Sequence, residues 1–126
     1  MPRKHHFATA LLTLLCAGPG ALQAVNFGFL EQAPVRFLSD ADTALLGDTI
    51  IRVLNESADG ESKTWQGEQS GDSGTVTAVS SFENDGRECR RVQIDTRAAK
   101  ATRGGATSLM DLCKVGEEWR ILRVPQ

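Results

Sequence analysis

Cys89 and Cys113 constrain this chain more than any other pair of residues. Each lies in a short run with strand character, Cys89-Arg90-Arg91-Val92-Gln93-Ile94 and Met110-Asp111-Leu112-Cys113-Lys114, and the runs flank a turn-like centre from Ala98 to Gly105. Antiparallel pairing about position 101 puts Cys89 directly opposite Cys113 and Val92 opposite Met110. A non-hydrogen-bonded cross-strand pair brings the Cβ atoms within disulfide reach. The expectation is a static bridge formed in an oxidising compartment, because a redox-active pair would call for a CxxC-type setting. Closing a loop of about 25 residues would stabilise the fold by about 3.5 kcal/mol in the loop-entropy model. Strand side chains alternate, so Val92, Ile94, Met110 and Leu112 share one face and the cysteines occupy the other.

The N-terminus predicts the same compartment. Met1 to His6 is a basic n-region, Phe7 to Ala17 is an apolar h-region, and Gly18-Pro19-Gly20 breaks it. That is the pattern of a secretory signal peptide, too short to span a bilayer as a helix. The expectation is a leader over residues 1–24, cleaved after Ala24. Cys16 is the alternative, as the lipidated residue of a lipoprotein signal, although Leu15 stands where a lipobox carries a small residue. Of the 14 Lys and Arg, Arg3 and Lys4 leave with the leader, while all 16 Asp and Glu remain. Both histidines, His5 and His6, leave as well. What remains is one small acidic domain with an even cysteine count.

Along the remaining chain, residues 25–36 read as a lead-in and residues 37–126 as the globular domain. Ser39 can cap a helix, with Asp42 placed as a capping-box partner. Leu38, Leu45, Leu46, Ile50, Val53 and Leu54 form an apolar stripe at helical spacing, ending near Asn55. Strand signals follow around Trp65, from Thr75 to Phe82, from Arg87 to Arg97, from Thr107 to Lys114 and from Trp119 to Val124. Asn84-Asp85-Gly86 marks a hairpin and Gly67 to Gly74 a turn-rich loop. The predicted fold is α+β: one amphipathic helix packed on a four- to five-stranded antiparallel meander, stapled by one disulfide.

The order of these residues resembles a known family. The series runs from Leu38-Ser39-Asp40-Ala41-Asp42 through Thr64-Trp65, Ser70-Gly71 and Gly74-Thr75-Val76-Thr77 to Cys89-Arg90, Cys113-Lys114 and Trp119-Arg120-Ile121. It looks like the C-terminal globular domain of the 17 kDa outer-membrane surface antigen family of Gram-negative bacteria. The resemblance implies an envelope location and gives Asp42, Trp65, Gly71, Gly74, Arg90 and Trp119 structural roles as motif residues. The chain departs from the family's pattern at Lys114, where the family repeats Cys-Arg, and in lacking a glycine-rich membrane-associating segment.

Little in the sequence carries chemistry. Without its leader the chain has no His, and it has no Tyr anywhere, so Ser-His, Cys-His and His-rich metal sites are excluded. Asp40, Asp42, Glu117 and Glu118 fall at a helix start and in a turn, where acids cap or are solvated. The Gly67–Gly74 loop lacks the Lys-Ser/Thr ending of a phosphate cradle. Asp72 and Ser73 supply too few oxygens for Ca²⁺. No cofactor or metal is expected. Arg87, Arg90, Arg91, Arg97, Lys100 and Arg103 form a basic stretch with two readings. One is a solvated strand edge and hairpin tip kept from edge pairing by charge. The other is contact with anionic envelope material through Arg87, Arg91, Arg97, Lys100 and Arg103. Nucleic acid does not fit a secreted acidic chain.

The function expected from sequence is a secreted, non-enzymatic structural or interaction module of the cell envelope. It would sit in the periplasm or at the cell surface, with an outer-membrane protein, lipid headgroup or polysaccharide as partner. The alternative is a small ligand-binding or enzymatic domain with a pocket between helix and sheet.

Overall fold

A computed structural model describes residues 37–100 and 105–123. The expected leader, Cys16, the lead-in over residues 25–36 and Arg103 lie outside the described residues. One helix, α1 (Asp40–Glu56), is followed by β1 (Ser62–Gln66), β2 (Ser73–Asn84), β3 (Arg87–Arg97), β4 (Gly105–Val115) and β5 (Glu118–Arg123). The strands form one antiparallel sheet in sequence order. Each connection is between neighbours, so the meander needs no crossover.

Local chemistry accounts for the elements. Ser39 Oγ accepts the Asp42 N–H at 3.1 Å and starts α1, with Asp40 and Asp42 on the positive end of its dipole. Asp85 and Gly86, with φ of 51° and 73°, make the tight β2–β3 hairpin through the left-handed region that a primed turn requires. The register of β3 and β4 pairs Cys89 with Cys113, at a Cα separation of 4.0 Å, and the two sulfurs are bonded. The cysteines therefore face away from the helix, as the alternation of Val92 and Ile94 requires.

The core is closed. Leu46, Ile50, Val53 and Leu54 of α1 pack against Val76, Ala78, Val92, Ile94, Met110, Leu112 and the two tryptophans. Leu45 corrects the expected stripe: it is 36% exposed, because a helix this close to the sheet seals a narrower arc than six residues span. Its neighbour Gly47 is buried instead.

One irregularity has consequences. A bulge between Ala78 and Ser80 extrudes Val79, which is 41% exposed. Beyond it Ser81 faces Arg90, and Phe82 faces Cys89. Regular pairing would have put Ser80 opposite Arg90.

Truncating Ile50, which is fully buried, to Ala should lower the free energy of unfolding by about 2–5 kcal/mol. Denaturant melts of the oxidised protein test this, and Leu45→Ala serves as the exposed control, expected within about 0.5 kcal/mol of the parent.

Candidate functional site

The polar centre of the domain is Arg90. It lies on the helix-facing side of β3 and is only 6% exposed. Its Nη1 donates to the carbonyls of Val53 (3.0 Å) and Leu54 (2.9 Å), its Nη2 to Asp59 Oδ1 (2.9 Å) and its Nε to Ser81 Oγ (3.1 Å). The last turn of α1 carries no basic residue of its own. Arg90 supplies, from a strand distant in sequence, both the donors and the positive charge that the helix C-terminus needs. The Arg90 guanidinium, then the Ser81 hydroxyl, holds the Asp59 carboxyl below its usual range.

The remaining motif residues tie other elements together. Asp42 does not close a capping box: its Oδ2 accepts from Ser70 Oγ at 2.5 Å, which fastens the β1–β2 loop to the start of α1. Gly67 is required there, since a Cβ would collide with the Asp42 carboxylate and the Ser70 hydroxyl. Gly71, in the same loop, has φ +73°. Trp65 lies in the core, and its indole passes so close over Gly74 that a Cβ at that position would strike the ring and the Asp95 carbonyl. The Trp65 Nε1–H is buried without a hydrogen-bond partner. Trp119 Nε1 donates to Asn55 Oδ1 at 2.8 Å and joins β5 to the end of α1. Lys114 stands 5.3 Å from the centroid of the same ring.

The opposite face of the sheet is organised by the disulfide register. Next to Cys89–Cys113, Arg91 stands opposite Asp111. Its Nε and Nη2 donate to Asp111 Oδ1 (2.7 Å) and Oδ2 (3.0 Å), a two-pronged pair on a fully buried carboxylate. Hydrogen bonding and attraction to Asp111 raise the pKa of Arg91. Further along, Asp95 accepts from Thr107 Oγ1 (2.6 Å) and Gln93 Nε2 (2.8 Å), and these two bonds keep its carboxyl below the usual range.

The basic stretch is thereby dispersed. β3 is the central strand, so the reading of a solvated edge does not apply to it. Arg90 is paired with Asp59 and Arg91 with Asp111. Arg87 and Arg97 are exposed at opposite ends of β3, about 33 Å apart for an extended strand of that length. Lys100 is exposed near the Arg97 end. Arg87 therefore shares no patch with Arg97 and Lys100. Among the described residues, no group of three or more His, Cys, Asp or Glu is placed to hold a metal ion.

The Arg91–Asp111 and Asp95–Thr107 contacts were not anticipated from sequence. The signal existed, because the register that pairs the cysteines also pairs these residues. Arg90 had no comparable signal: a strand register says which face a side chain occupies, not which helix end it reaches.

The fold and its ties define a disulfide-stapled α+β domain in which one helix closes over a five-stranded meander. The family model described as 17 kDa outer membrane surface antigen matches residues 52–116, just over half of the chain. The chain belongs to that family, a family of outer-membrane or envelope-associated domains. No curated protein and no solved structure was found to match the chain.

Replacing Arg90 by Met keeps the bulk and leaves helix carbonyls without their donor, a loss of about 1–3 kcal/mol by the cost of an unsatisfied buried group. Urea denaturation at neutral pH measures it. Asp59 has a folded pKa below the ordinary aspartate value of 3.8. Its contribution is therefore complete above that pH and is lost as pH falls from the unfolded pKa through the folded one. Asp59→Asn should flatten that part of the acid limb in stability measured between pH 5 and pH 2.

Proposed function

We propose that this chain is an exported, non-enzymatic module of the cell envelope that acts through structure and surface contact. The observation that carries the reading is the use to which the family's motif side chains are put. Asp42, Trp65, Arg90 and Trp119 are each spent on joining helix, loop and sheet. The burial of the described apolar residues between α1 and the sheet supports the same reading, since a helix-to-sheet ligand pocket would have to open there. The buried Cys89–Cys113 bridge supports export into an oxidising compartment.

Fractionation of the native host, with mass spectrometry of the mature N-terminus and of the cysteine pair, tests the proposal. The expected result is a chain starting at Val25, recovered in the envelope fraction with Cys89 and Cys113 bonded. Recovery in the cytosol with an intact leader and two free thiols would overturn it. A lipidated Cys16 would keep the envelope reading and replace the cleavage site.

A further inference from the structure

On the sheet face away from the helix, we propose a binding site for a neutral oligosaccharide, formed by a polar trough across β1 to β4; this rests on the envelope reading above. The trough is a cavity of about 660 Å³ at the end of the sheet that carries Arg97 and Gly105. Its lining follows the strand register. One rank is Thr64, Thr75, Asp95 and Thr107, each opposite the next across the four strands. A second rank, two residues further along each strand, is Gln66, Ser73 and Arg97, ending at Gly105.

The alternation of side chains decides which face the trough occupies. Trp65 and Thr96, between the two ranks, are buried toward the helix. Thr64, Gln66, Arg97 and Thr107 are exposed. Both ranks therefore project from the other face, and the backbone between them forms the floor. The ranks stand about 7 Å apart and cross four strands, about 14 Å. That is an elongated, open groove suited to a chain molecule.

The chemistry selects the ligand. The hydroxyl groups of Thr64, Ser73, Thr75 and Thr107 line the walls together with the Gln66 amide, and each can both donate and accept. The two charged side chains, Asp95 and Arg97, have opposite sign. An anion would meet the Asp95 carboxylate, and a cation would meet Arg97. A ligand rich in neutral hydroxyls satisfies both, accepting from the guanidinium and donating to the carboxylate. Asp95 is prepared for this role, since Thr107 and Gln93 each donate to one of its two oxygens and so fix the carboxylate. The Arg97 side chain makes no hydrogen bond or ion pair among the described residues, so its guanidinium donors remain available. The tryptophan beneath is buried and offers no stacking surface, which points to weak binding, with a Kd on the order of 1 mM.

The test is an amide-shift titration of the ¹⁵N-labelled full chain with tetra-N-acetylchitotetraose and, separately, with maltotetraose. The expected result is that at least one of them shifts the amides of residues 64–66, 73–75, 95–97 and 105–107, with an affinity unchanged by added salt. Arg97→Gln and Asp95→Asn, checked by near-UV circular dichroism for an intact fold, should each weaken binding about tenfold. No shift in those amides with either sugar at about 10 mM, far enough above a millimolar Kd to load the site, would overturn the inference. Shifts elsewhere, or unchanged binding by both variants, would do the same. So would a preference for inorganic phosphate or for vesicles containing phosphatidylglycerol that salt abolishes, since that marks an anion site. An envelope-bound protein that ignores both sugars would refute the glycan site alone. A cytosolic protein that binds them would refute the envelope reading alone.

Discussion

The insertion of Arg90 between helix and sheet is the interaction on which the rest of this domain depends. A helix C-terminus ends in carbonyls without donors and a partial negative charge, and the last turn of α1 carries no basic residue to meet either. Arg90 answers both needs from the centre of the sheet. In the same step it draws in Asp59 from the α1–β1 connection and Ser81 from β2. A buried guanidinium is tolerable only when its donors are matched, and here Nε, Nη1 and Nη2 all find acceptors. The β2 bulge belongs to this arrangement, because it is what turns Ser81 toward the guanidinium.

The two faces of the sheet are built on different principles. The helix side is held by apolar burial, with Leu46, Ile50 and Val53 sealed against Val76, Val92 and Leu112. The other side is held by cross-strand pairs in register: the disulfide, the Arg91–Asp111 pair and the Asp95–Thr107 hydrogen bond. A covalent bond fixes the register, and every rung beyond it inherits the same alignment. The face opposite the helix can therefore carry polar and charged side chains without losing order.

Much of the fold was legible from sequence because its signals are local. The Asp85-Gly86 turn, the Ser39 cap, the alternation in β3 and the position of Cys89 relative to Cys113 each act over a few residues or through one register. Leu45 was misplaced because periodicity gives the direction of a stripe, whereas its width depends on how closely the sheet approaches. Asp42 fits a capping box in sequence, but the Ser70 hydroxyl of a folded loop stands within its reach. The arginines were harder still. As text, Arg87 to Arg103 is one basic run, yet extended geometry separates its ends, and burial consumes its middle.

The sequence by itself determined the helix, the order of the strands, the bridge and the faces of β3 and β4, since all of these follow from spacing and period. Only the tertiary structure decided what the polar side chains do. Arg90 became a helix cap, Arg91 the partner of a buried carboxylate, and Arg97 a cation with open donors at the rim of a trough. The reason is physical. A charged side chain has no fixed role until packing sets its exposure and brings up its counter-charge, and both come from residues distant in the chain.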